Sequence, residues 1–400
     1  MHKIERLLQT LAPKGVEFRK LGEVLEYDQP NQYYITSKEF DKSYPTPVLT
    51  AGKTFILGYT NEKDNIYQAS KNTPVIIFDD FTTATQWVDF PFKVKSSAMK
   101  ILLPKNPTIN IRFIFFYMQT IPYNISGEHA RHWISRYSQL EVPIPPLEIQ
   151  QEIVKILDAF TELNTELNTE LKVRKKQYEY YQNMLLDFND INQNHKDAKM
   201  SVKPYPKRLK TLLQTLAPKG VEFRKLGEVC DFQKGKSITK KAVTFGKIPV
   251  ISGGRQPAYY HNEANRSGET IAISSSGVYA GYVSYWDIPV FLADSFSVSP
   301  KQKTLMPKYL FHYLTTQQDA IHATKSTGGI PHVYSKDLQN FLIPIPPLEI
   351  QQEIVKILDQ FSLLTTDLLA GIPAEIKARK KQYEYYREKL LTFKPLQNKE

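Results

Sequence analysis

The sequence predicts an α+β protein in which two mixed α/β domains are joined by two long antiparallel helices. Residues 7–24 recur unchanged as 212–229, and residues 143–158 recur unchanged as 344–359. The blocks between these repeats differ almost completely. Each 16-residue repeat opens a long heptad-like apolar pattern. Because both halves keep the same order of parts, we expect a duplication with circular repeat order and a pseudo-two-fold axis, which sets the long helices antiparallel.

The repeats divide the chain into four segments. Leu7, Leu8 and Leu11 have near-helical spacing and Pro13 follows them, so each half should begin with a short helix. The predicted segments are a first domain at residues 1–141 (with a repeated first element at 1–24), a first helical spacer at 142–195, a second domain at 196–342 (with its repeated element at 212–229) and a second helical spacer at 343–400.

Both variable blocks contain short apolar, β-branched runs between turn residues, followed by a helical stretch. Such runs are typical of strands. We therefore expect the two blocks to share a fold despite their different sequences. The predicted strands are residues 46–50, 73–78, 100–103, 248–251, 270–273 and 282–285, and the predicted helices are 111–120 and 307–320.

The spacers carry apolar residues at alternating steps of four and three, which is the a/d pattern of a coiled coil. Extra steps of four are stutters, which locally unwind such a coil. Each helix of about 40 residues would span roughly 60 Å. The ordinary explanation of such a pattern is an intrachain helical hairpin, and two similar helices in one chain are obvious partners. The predicted seam is Ile149, Ile153, Ile156, Phe160, Leu163, Leu167, Ile350, Ile354, Ile357, Phe361, Leu364 and Leu368.

The two spacers differ in one region. Residues 161–171 form a four-residue tandem repeat in the first spacer, and each unit would change the helix length by about 6 Å and rotate it by about 40°. The second spacer has Gly371 and Pro373 at the comparable place. Since a proline ring clashes with the carbonyl four residues earlier, we predict either a kink or a glycine stop with a proline restart.

Composition favours a polyanionic partner. The 400 residues carry a formal net charge of +11. This favours nucleic acid ahead of an anionic membrane, although a generally basic proteome could give the same balance. A single cysteine, Cys230, excludes intrachain disulfides and cysteine-based zinc sites. No apolar stretch approaches the ~20 residues of a membrane span, so we expect a cytoplasmic protein without membrane contact.

Catalytic motifs are missing from the sequence. Gly235-Lys236-Ser237 resembles the end of a P-loop, but Cys230 stands where the pattern needs glycine. Asp79 and Asp80 are better explained as a turn than as a catalytic pair. The histidines lack metal-ligand spacing. We therefore expect no catalytic centre, no metal site and no cofactor bound by this chain itself.

Basic, polar and aromatic residues cluster once in each variable block. Arginine can hydrogen-bond guanine and glutamine can hydrogen-bond adenine through two contacts, while lysine mostly neutralises phosphate. For any single residue, an ordinary surface charge is the simpler explanation. Two clusters, one per block, fit two DNA footprints. The candidates are Lys93, Lys95, Arg131, His132, Arg136 and Tyr137 in the first block, and Lys234, Lys236, Lys240, Lys241, Arg255, Gln256, Arg266 and His332 in the second.

Several features together resemble the specificity subunits of type I restriction-modification enzymes. They are the Pro-x-Pro-Pro-Leu-x-x-Gln-x-x-Ile motif at 143–153 and 344–354, the loops at 252–254 and 277–281, and the circular order of the repeats. The four-residue repeat also matches one found in some members. The resemblance covers the whole chain.

The resemblance implies that each variable domain is a target recognition domain for one half of a split sequence in double-stranded DNA. The paired helices would set the distance between the halves and dock modification subunits, two in number. Those partners would supply S-adenosylmethionine and adenine methylation. Restriction subunits would supply ATP- and Mg-dependent translocation and cleavage, so this chain would be a non-catalytic subunit.

Two other classes of function compete with this interpretation. A coiled-coil adaptor or assembly protein would bind protein partners without preferring a split DNA site. A self-sufficient enzyme, such as a fused methyltransferase, needs cofactor motifs that the sequence lacks.

Overall fold

The chain forms two compact units. One is built from the two ends of the sequence and the other from its middle. One unit consists of Met1–Leu167 with Ile376–Glu400, and the other of Asn168–Glu375. The predicted helical spacers are therefore divided between the units. The structure is a computed structural model that describes residues 2–52, 54–122, 131–189, 204–301, 303–326, 329–366 and 371–396.

The first unit contains an α/β domain. Its helices are α1 (His2–Leu11), α2 (Leu21–Val24), α3 (Ile111–Met118) and α4 (His132–Ser135), followed by the start of α5 (Leu147–Leu186), with 3-10 turns at Pro30–Tyr33 and Tyr137–Gln139. Its strands are β1 (Glu17–Lys20), β2 (Leu25–Asp28), β3 (Thr46–Leu49), β4 (Ile56–Thr60), β5 (Val75–Asp79), β6 (Thr85–Val88), β7 (Lys93–Val94), β8 (Met99–Pro104) and β9 (Glu141–Ile144).

In the part of this domain that the structure describes, the strands form three small sheets. A four-stranded antiparallel sheet has the order β2-β8-β5-β6, and a three-stranded sheet has the order β4-β3-β7, in which β3 and β7 run parallel. Strands β1 and β9 pair antiparallel and bring the two ends of the domain together. Strand β5 is buried along its whole length, as its continuous apolar run predicts for a central strand.

The second unit repeats this arrangement. Its helices are α6 (Lys207–Leu216), α7 (Leu226–Val229), α8 (Pro307–Thr316), α9 (Gln318–Ala323), α10 (Ser335–Leu338) and α11 (Leu348–Thr366), with a 3-10 turn at Lys240–Ala242. Its strands are β10 (Phe223–Lys225), β11 (Cys230–Lys234), β12 (Ile248–Ile251), β13 (Tyr259–His261), β14 (Thr270–Ser274), β15 (Val283–Trp286), β16 (Phe291–Leu292), β17 (Ser295–Pro300) and β18 (Leu342–Pro344). The sheet orders β11-β17-β14-β15 and β13-β12-β16, with the pair β10-β18, match those of the first unit, which confirms the predicted common fold.

The predicted elements are present, with shifted ends. Strands β3, β5, β8, β12, β14 and β15 correspond to the six predicted ones. The helix predicted at 307–320 is divided, because α8 ends at Thr316 and α9 begins at Gln318. The short strands β4 and β6 were not predicted, since their residues lack a clear apolar alternation.

The second long helical segment is described as two helices, and residues 367–370 between them lie outside the described residues. Helix α11 ends at Thr366 and α12 (Gly371–Leu391) begins at Gly371, whereas α5 is continuous over 40 residues. Gly371 has φ +73°, and a Cβ there would lie 2.6 Å from the carbonyl oxygen of Leu363, so glycine is required. Pro373 lies in the first turn of α12, where a missing N–H costs little. The positive φ of Gly371 and the place of Pro373 agree with the predicted proline restart, whereas the predicted glycine stop of α11 stays a prediction.

The deepest burial on the long helices follows steps of four. Ile149, Ile153 and Leu157 are fully buried in the first unit and share a core with Phe113 of α3, whereas Ile156 is only partly buried. Here the helix packs against its own domain, so the buried face points toward that domain.

The second unit repeats this burial pattern. Ile350, Ile354 and Leu358 are fully buried there, and Ile357 is partly buried.

Farther along the predicted seam, Phe160, Leu163, Phe361 and Leu364 are partly buried and Leu167 is buried. Leu368 lies outside the described residues.

Candidate nucleic-acid interface

The start of α5 is fixed to the first domain by a buried amide. The Gln150 side chain accepts a hydrogen bond from the backbone N–H of Asn110 at 2.8 Å. Its Nε2 donates to the carbonyl oxygens of Thr108 at 3.1 Å and Pro145 at 2.7 Å. Gln150 is fully buried, and these three bonds satisfy its amide. The long helix is thereby held at one position on the domain.

The second domain uses the same device. Gln351 accepts from the backbone N–H of Met306 at 2.9 Å and donates to the carbonyl oxygens of Thr304 at 2.8 Å and Pro346 at 2.7 Å. It is also fully buried. The repeated Gln therefore links a repeated helix to two domains of different sequence.

An aromatic pair also recurs on the long helices. In the first unit, Phe160 of α5 stacks on Tyr386 of α12, with centroids 5.5 Å apart and ring planes 26° apart. In the second unit, Phe361 of α11 stacks on Tyr181 of α5, at 5.1 Å and 26°. Helix α5 supplies the phenylalanine in the first unit and the tyrosine in the second, and the angle between the ring planes is the same in both.

The loop after β5 forms one edge of the first domain. The Asp79 carboxylate accepts hydrogen bonds from the backbone N–H groups of Gly52 at 2.8 Å, Phe81 at 3.0 Å and Thr82 at 3.2 Å. The predicted turn at Asp79 and Asp80 is present, since residues 80–82 form a turn. Asp79 thus holds two loops at the same edge.

Asp80 positions the short helix α4 at this edge. Its carbonyl accepts from His132 N–H at 2.9 Å, and its Oδ1 accepts from Trp133 N–H at 2.7 Å. The Lys100 ammonium lies 3.7 Å from Asp80 Oδ2, and both side chains are 1% exposed. Burial lowers the pKa of Lys100, and the Asp80 carboxylate partly offsets this. Sequence analysis missed this ion pair because Asp80 and Lys100 lie 20 residues apart in the chain.

The first candidate cluster divides between surface and core. Lys95, Arg131 and Arg136 are exposed. Lys93 is buried, with its Nζ 2.8 Å from Glu62 Oε2 and donating to the Asp64 carbonyl at 2.8 Å. Because its charge is neutralised internally, Lys93 is not presented to a ligand.

Two further residues of this cluster lie in the core. His132 and Tyr137 are buried, and the Tyr137 ring packs 4.9 Å from that of Phe78. Their side chains support the fold beneath the exposed arginines. A basic stretch of sequence does not reveal which of its side chains turn inward.

Arg255 and His332 of the second cluster lie at one loop edge. The Arg255 guanidinium sits over the rings of Tyr279 at 5.0 Å and Tyr282 at 5.6 Å. His332 forms a β-bridge with Ser276 in the same loop region. Gln256 is exposed beside Arg255. The structure therefore brings together residues that are far apart in the sequence, and adds Tyr279, which sequence analysis missed.

Arg266 and the lysines of this cluster behave differently. Lys234, Lys236, Lys240 and Lys241 are exposed. The Arg266 guanidinium is occupied internally by bonds to Ser297 Oγ at 2.9 Å and to the carbonyl oxygens of Asn265, Gln233 and Lys234 at 2.7, 3.1 and 3.1 Å. Arg266 thus ties β11 and β17 to the segment between β13 and β14.

The described ranges hold neither a metal-binding cluster nor a membrane-spanning helix. Among those residues, His, Cys, Asp and Glu side chains do not gather in groups of three or more that could hold a metal ion. Within the same ranges, every helix is too short or too polar to cross a membrane. Cys230 is buried, which raises the pKa of its thiol to about 12.

Comparison with known proteins gives a consistent result. The family described as the type I restriction modification DNA specificity domain matches residues 13–174 and 218–378. The EcoR124I/EcoR124II specificity subunit of Escherichia coli is 39% identical, over 98% of this chain and 97% of that protein. A type I specificity subunit of Haemophilus influenzae is 34% identical, over 71% of this chain and 73% of that protein.

A solved structure has the same fold. The crystal structure of the type I restriction-modification S subunit from M. genitalium superposes with a TM-score of 0.65, over 94% of this chain and 96% of that one. The two sequences are 18% identical, so the likeness concerns the fold alone.

Proposed function

This chain belongs to the family of type I restriction-modification DNA specificity subunits, and we propose that it binds a bipartite DNA sequence, with one domain for each half. The observation that supports this most strongly is the pair of domains with one strand order and different loop residues. Two domains with the same strand order but different loop residues suit the recognition of two different DNA sequences.

The exposed members of the two clusters supply suitable chemistry. Lys95, Arg131 and Arg136 serve the first half-site, whereas Arg255 and Gln256 serve the second together with the exposed lysines. Lysine and arginine neutralise phosphates, which makes binding strongly salt-dependent. Arginine and glutamine also recognise base edges in the major groove.

The long helices are proposed to pair antiparallel as a coiled coil about a pseudo-two-fold axis and to set the spacer between half-sites. The recurring stacks of Phe160 on Tyr386 and Phe361 on Tyr181 support this pairing. Removing one four-residue unit from residues 161–171 should shorten the spacer and leave both half-sites unchanged. Mapping the methylated sequence of that variant tests the proposal, and an unaltered spacer contradicts it.

Partner subunits are proposed to perform the chemistry, since specificity subunits are non-catalytic by family role. Two modification subunits would bring S-adenosylmethionine and methylate adenine, and restriction subunits would bring ATP and Mg. Their docking surface would be the repeated helices, where Tyr180 and Tyr385 are 55% and 58% exposed. Exposed tyrosines are common at protein interfaces.

Co-expression with a cognate modification subunit, followed by genome-wide mapping of methylated adenines, tests the proposed function. We expect one bipartite motif. The double variant Arg131→Ala/Arg136→Ala should relax the first half only, whereas Arg255→Ala should relax the second half only. A coiled-coil adaptor would leave the partner bound without producing a bipartite motif, and that result would contradict the proposal.

A further inference from the structure

Two separate segments of the second unit are joined at its loop edge. The N–H of Gly277 donates to the carbonyl of Pro331 at 3.0 Å, and the N–H of Val333 donates to the carbonyl of Ser275 at 2.9 Å. These bonds pair the loop between β14 and β15 with the segment that precedes α10. The pairing is antiparallel.

Val278 and Ile330 are the chain neighbours of the bonded residues Gly277 and Pro331. Ser276 pairs with His332, and each step forward in one segment is a step back in the other. Val278 is 82% exposed and Ile330 is 67% exposed. The edge therefore ends in an apolar tip, defined here as the side chains of Val278 and Ile330.

The loop that carries this tip is closely fixed. Gly277 and Gly281 have φ of +85° and +84°, values that suit glycine. The Gly281 N–H donates to the Ser274 carbonyl at 2.8 Å, and the Ala280 N–H donates to the Gly277 carbonyl at 3.0 Å. A defined turn thus presents Val278 outward, which preorganises it for contact with a ligand.

Cationic groups flank the apolar tip. Arg255 lies over the ring of Tyr279, the residue next to Val278. Lys325 Nζ donates to the carbonyl oxygen of Val278 at 3.5 Å. The Asp294 carboxylate nearby accepts a hydrogen bond from Ser276 Oγ. Positive charge around a tip of only two aliphatic side chains favours a polyanion with small apolar groups over a broad apolar protein surface.

The major groove of DNA offers such groups. Among the base edges there, the C5-methyl of thymine is apolar, whereas the other groups that distinguish base pairs are hydrogen-bond donors or acceptors. Valine and isoleucine side chains bring neither donors nor acceptors. We propose that Val278 and Ile330 contact thymine C5-methyl groups in the half-site of the second domain, and so select A·T pairs there. This inference rests on the proposed function.

The test uses the complete complex of this chain with its modification subunits and a duplex that carries the mapped motif. Each thymine of the second half-site is replaced, one at a time, by uracil, which keeps the base-pair hydrogen bonds and lacks the methyl group. At a contacted position we expect binding to weaken about fourfold, because burying one methyl contributes about 0.8 kcal/mol. Thymines of the first half-site, replaced in the same way, are the internal control.

Variants connect the effect to the tip. Val278→Ala or Ile330→Ala should weaken binding to the thymine duplex by a similar factor and abolish the difference between thymine and uracil at one position. Ile288→Ala is the matched control, because Ile288 is 46% exposed but follows the other end of β15. It should keep the full thymine preference.

Several results would overturn the inference while leaving the proposed function intact. These are a bipartite motif whose second half lacks A·T pairs, equal binding of all uracil duplexes, and an unchanged thymine preference in both tip variants. Loss of modification-subunit binding in the tip variants, with DNA preference retained, would assign the tip to a protein partner instead. The absence of any bipartite motif would contradict the proposed function itself.

Discussion

The two domains fix the loop that follows their central strand through the same backbone contact but stabilise it differently. In the first unit, His132 N–H donates to the Asp80 carbonyl at 2.9 Å, and in the second, Val333 N–H donates to the Ser275 carbonyl, also at 2.9 Å. Asp80 adds a buried ion pair with Lys100, whereas serine brings no charge. The backbone hydrogen bond is thus common to both domains, whereas the side chains around it differ between them.

The common frame extends beyond the identical repeats. Lys105 Nζ donates to the Gly22 carbonyl at 2.6 Å, and Lys301 Nζ donates to the Gly227 carbonyl at 2.8 Å. Both lysines belong to the variable blocks, but their acceptors belong to the repeats. Each variable block must therefore supply a few side chains that contact the repeated segments, whereas its loops can differ elsewhere.

The largest difference between the domains should appear when the buried ion pair is broken. Asp80→Ala leaves the Lys100 ammonium buried without its partner, and such losses typically cost about 3–5 kcal/mol. We expect the free energy of unfolding of the first unit to fall by about this amount and methylation specificity for the first half-site to be lost. Hydrogen exchange of the full-length chain, resolved by peptide, measures both units at once.

Ser275→Ala is the matched control in the second domain. It keeps the backbone bond to Val333 and removes no charge, so we expect a loss below about 0.5 kcal/mol. Equal destabilisation by Asp80→Ala and Ser275→Ala would show that the ion pair does not distinguish the two edges.

The buried amides should give equal effects in the two units. Gln150→Ala and Gln351→Ala each leave a buried N–H and carbonyl groups without their partner, and we expect each to cost about 2 kcal/mol. Urea unfolding of the full-length chain, followed by peptide-resolved exchange, gives the two values.

The neighbouring glutamines are natural controls for these variants. Gln151 and Gln352 are exposed on the same helices, so their replacement by alanine should change stability by less than about 0.5 kcal/mol. A large difference between the Gln150 and Gln351 variants would mean that the repeated helices are not attached to the domains in equivalent ways.

Acid should weaken the first unit through Glu62. Burial opposes ionisation of this carboxyl, but Lys93 and the N–H groups of Ser37 and Thr36 outweigh it and lower the pKa to about 2. Since the folded pKa lies below the unfolded value, the stabilisation is present above about pH 4.5. It is lost as the pH falls through about 2.

Lys93→Met tests this linkage. At pH 7 the variant should be less stable by about 1.5 kcal/mol, the contribution of a hydrogen bond to a charged group. Its difference from the unmodified chain should shrink as the pH falls toward 2, because Glu62 becomes protonated in both proteins. Unfolding free energies measured from pH 7 to pH 2 check this, and a difference that is constant with pH contradicts it.

Sequence patterns predicted the parts of this fold that depend on local chemistry. The repeats, the strands with continuous apolar runs and the start of α12 at Gly371 all follow from residue type and spacing. The buried role of Gln150 did not follow, because a glutamine on an amphipathic helix usually faces water. Lys93 and His132 were predicted as DNA-binding candidates but are buried. Only tertiary contacts decide which polar side chains turn inward.

The smallest expected effect concerns the aromatic stacks, which compare the two helix pairings directly. An aromatic pair contributes about 1 kcal/mol beyond its buried area. Double-mutant cycles of Phe160→Leu with Tyr386→Leu, and of Phe361→Leu with Tyr181→Leu, isolate that contribution in each unit. Because both stacks have ring planes 26° apart, we expect equal coupling energies. A coupling near zero in one unit only would mean that the long helices pair differently in the two units, and that the other stack contributes most to their pairing.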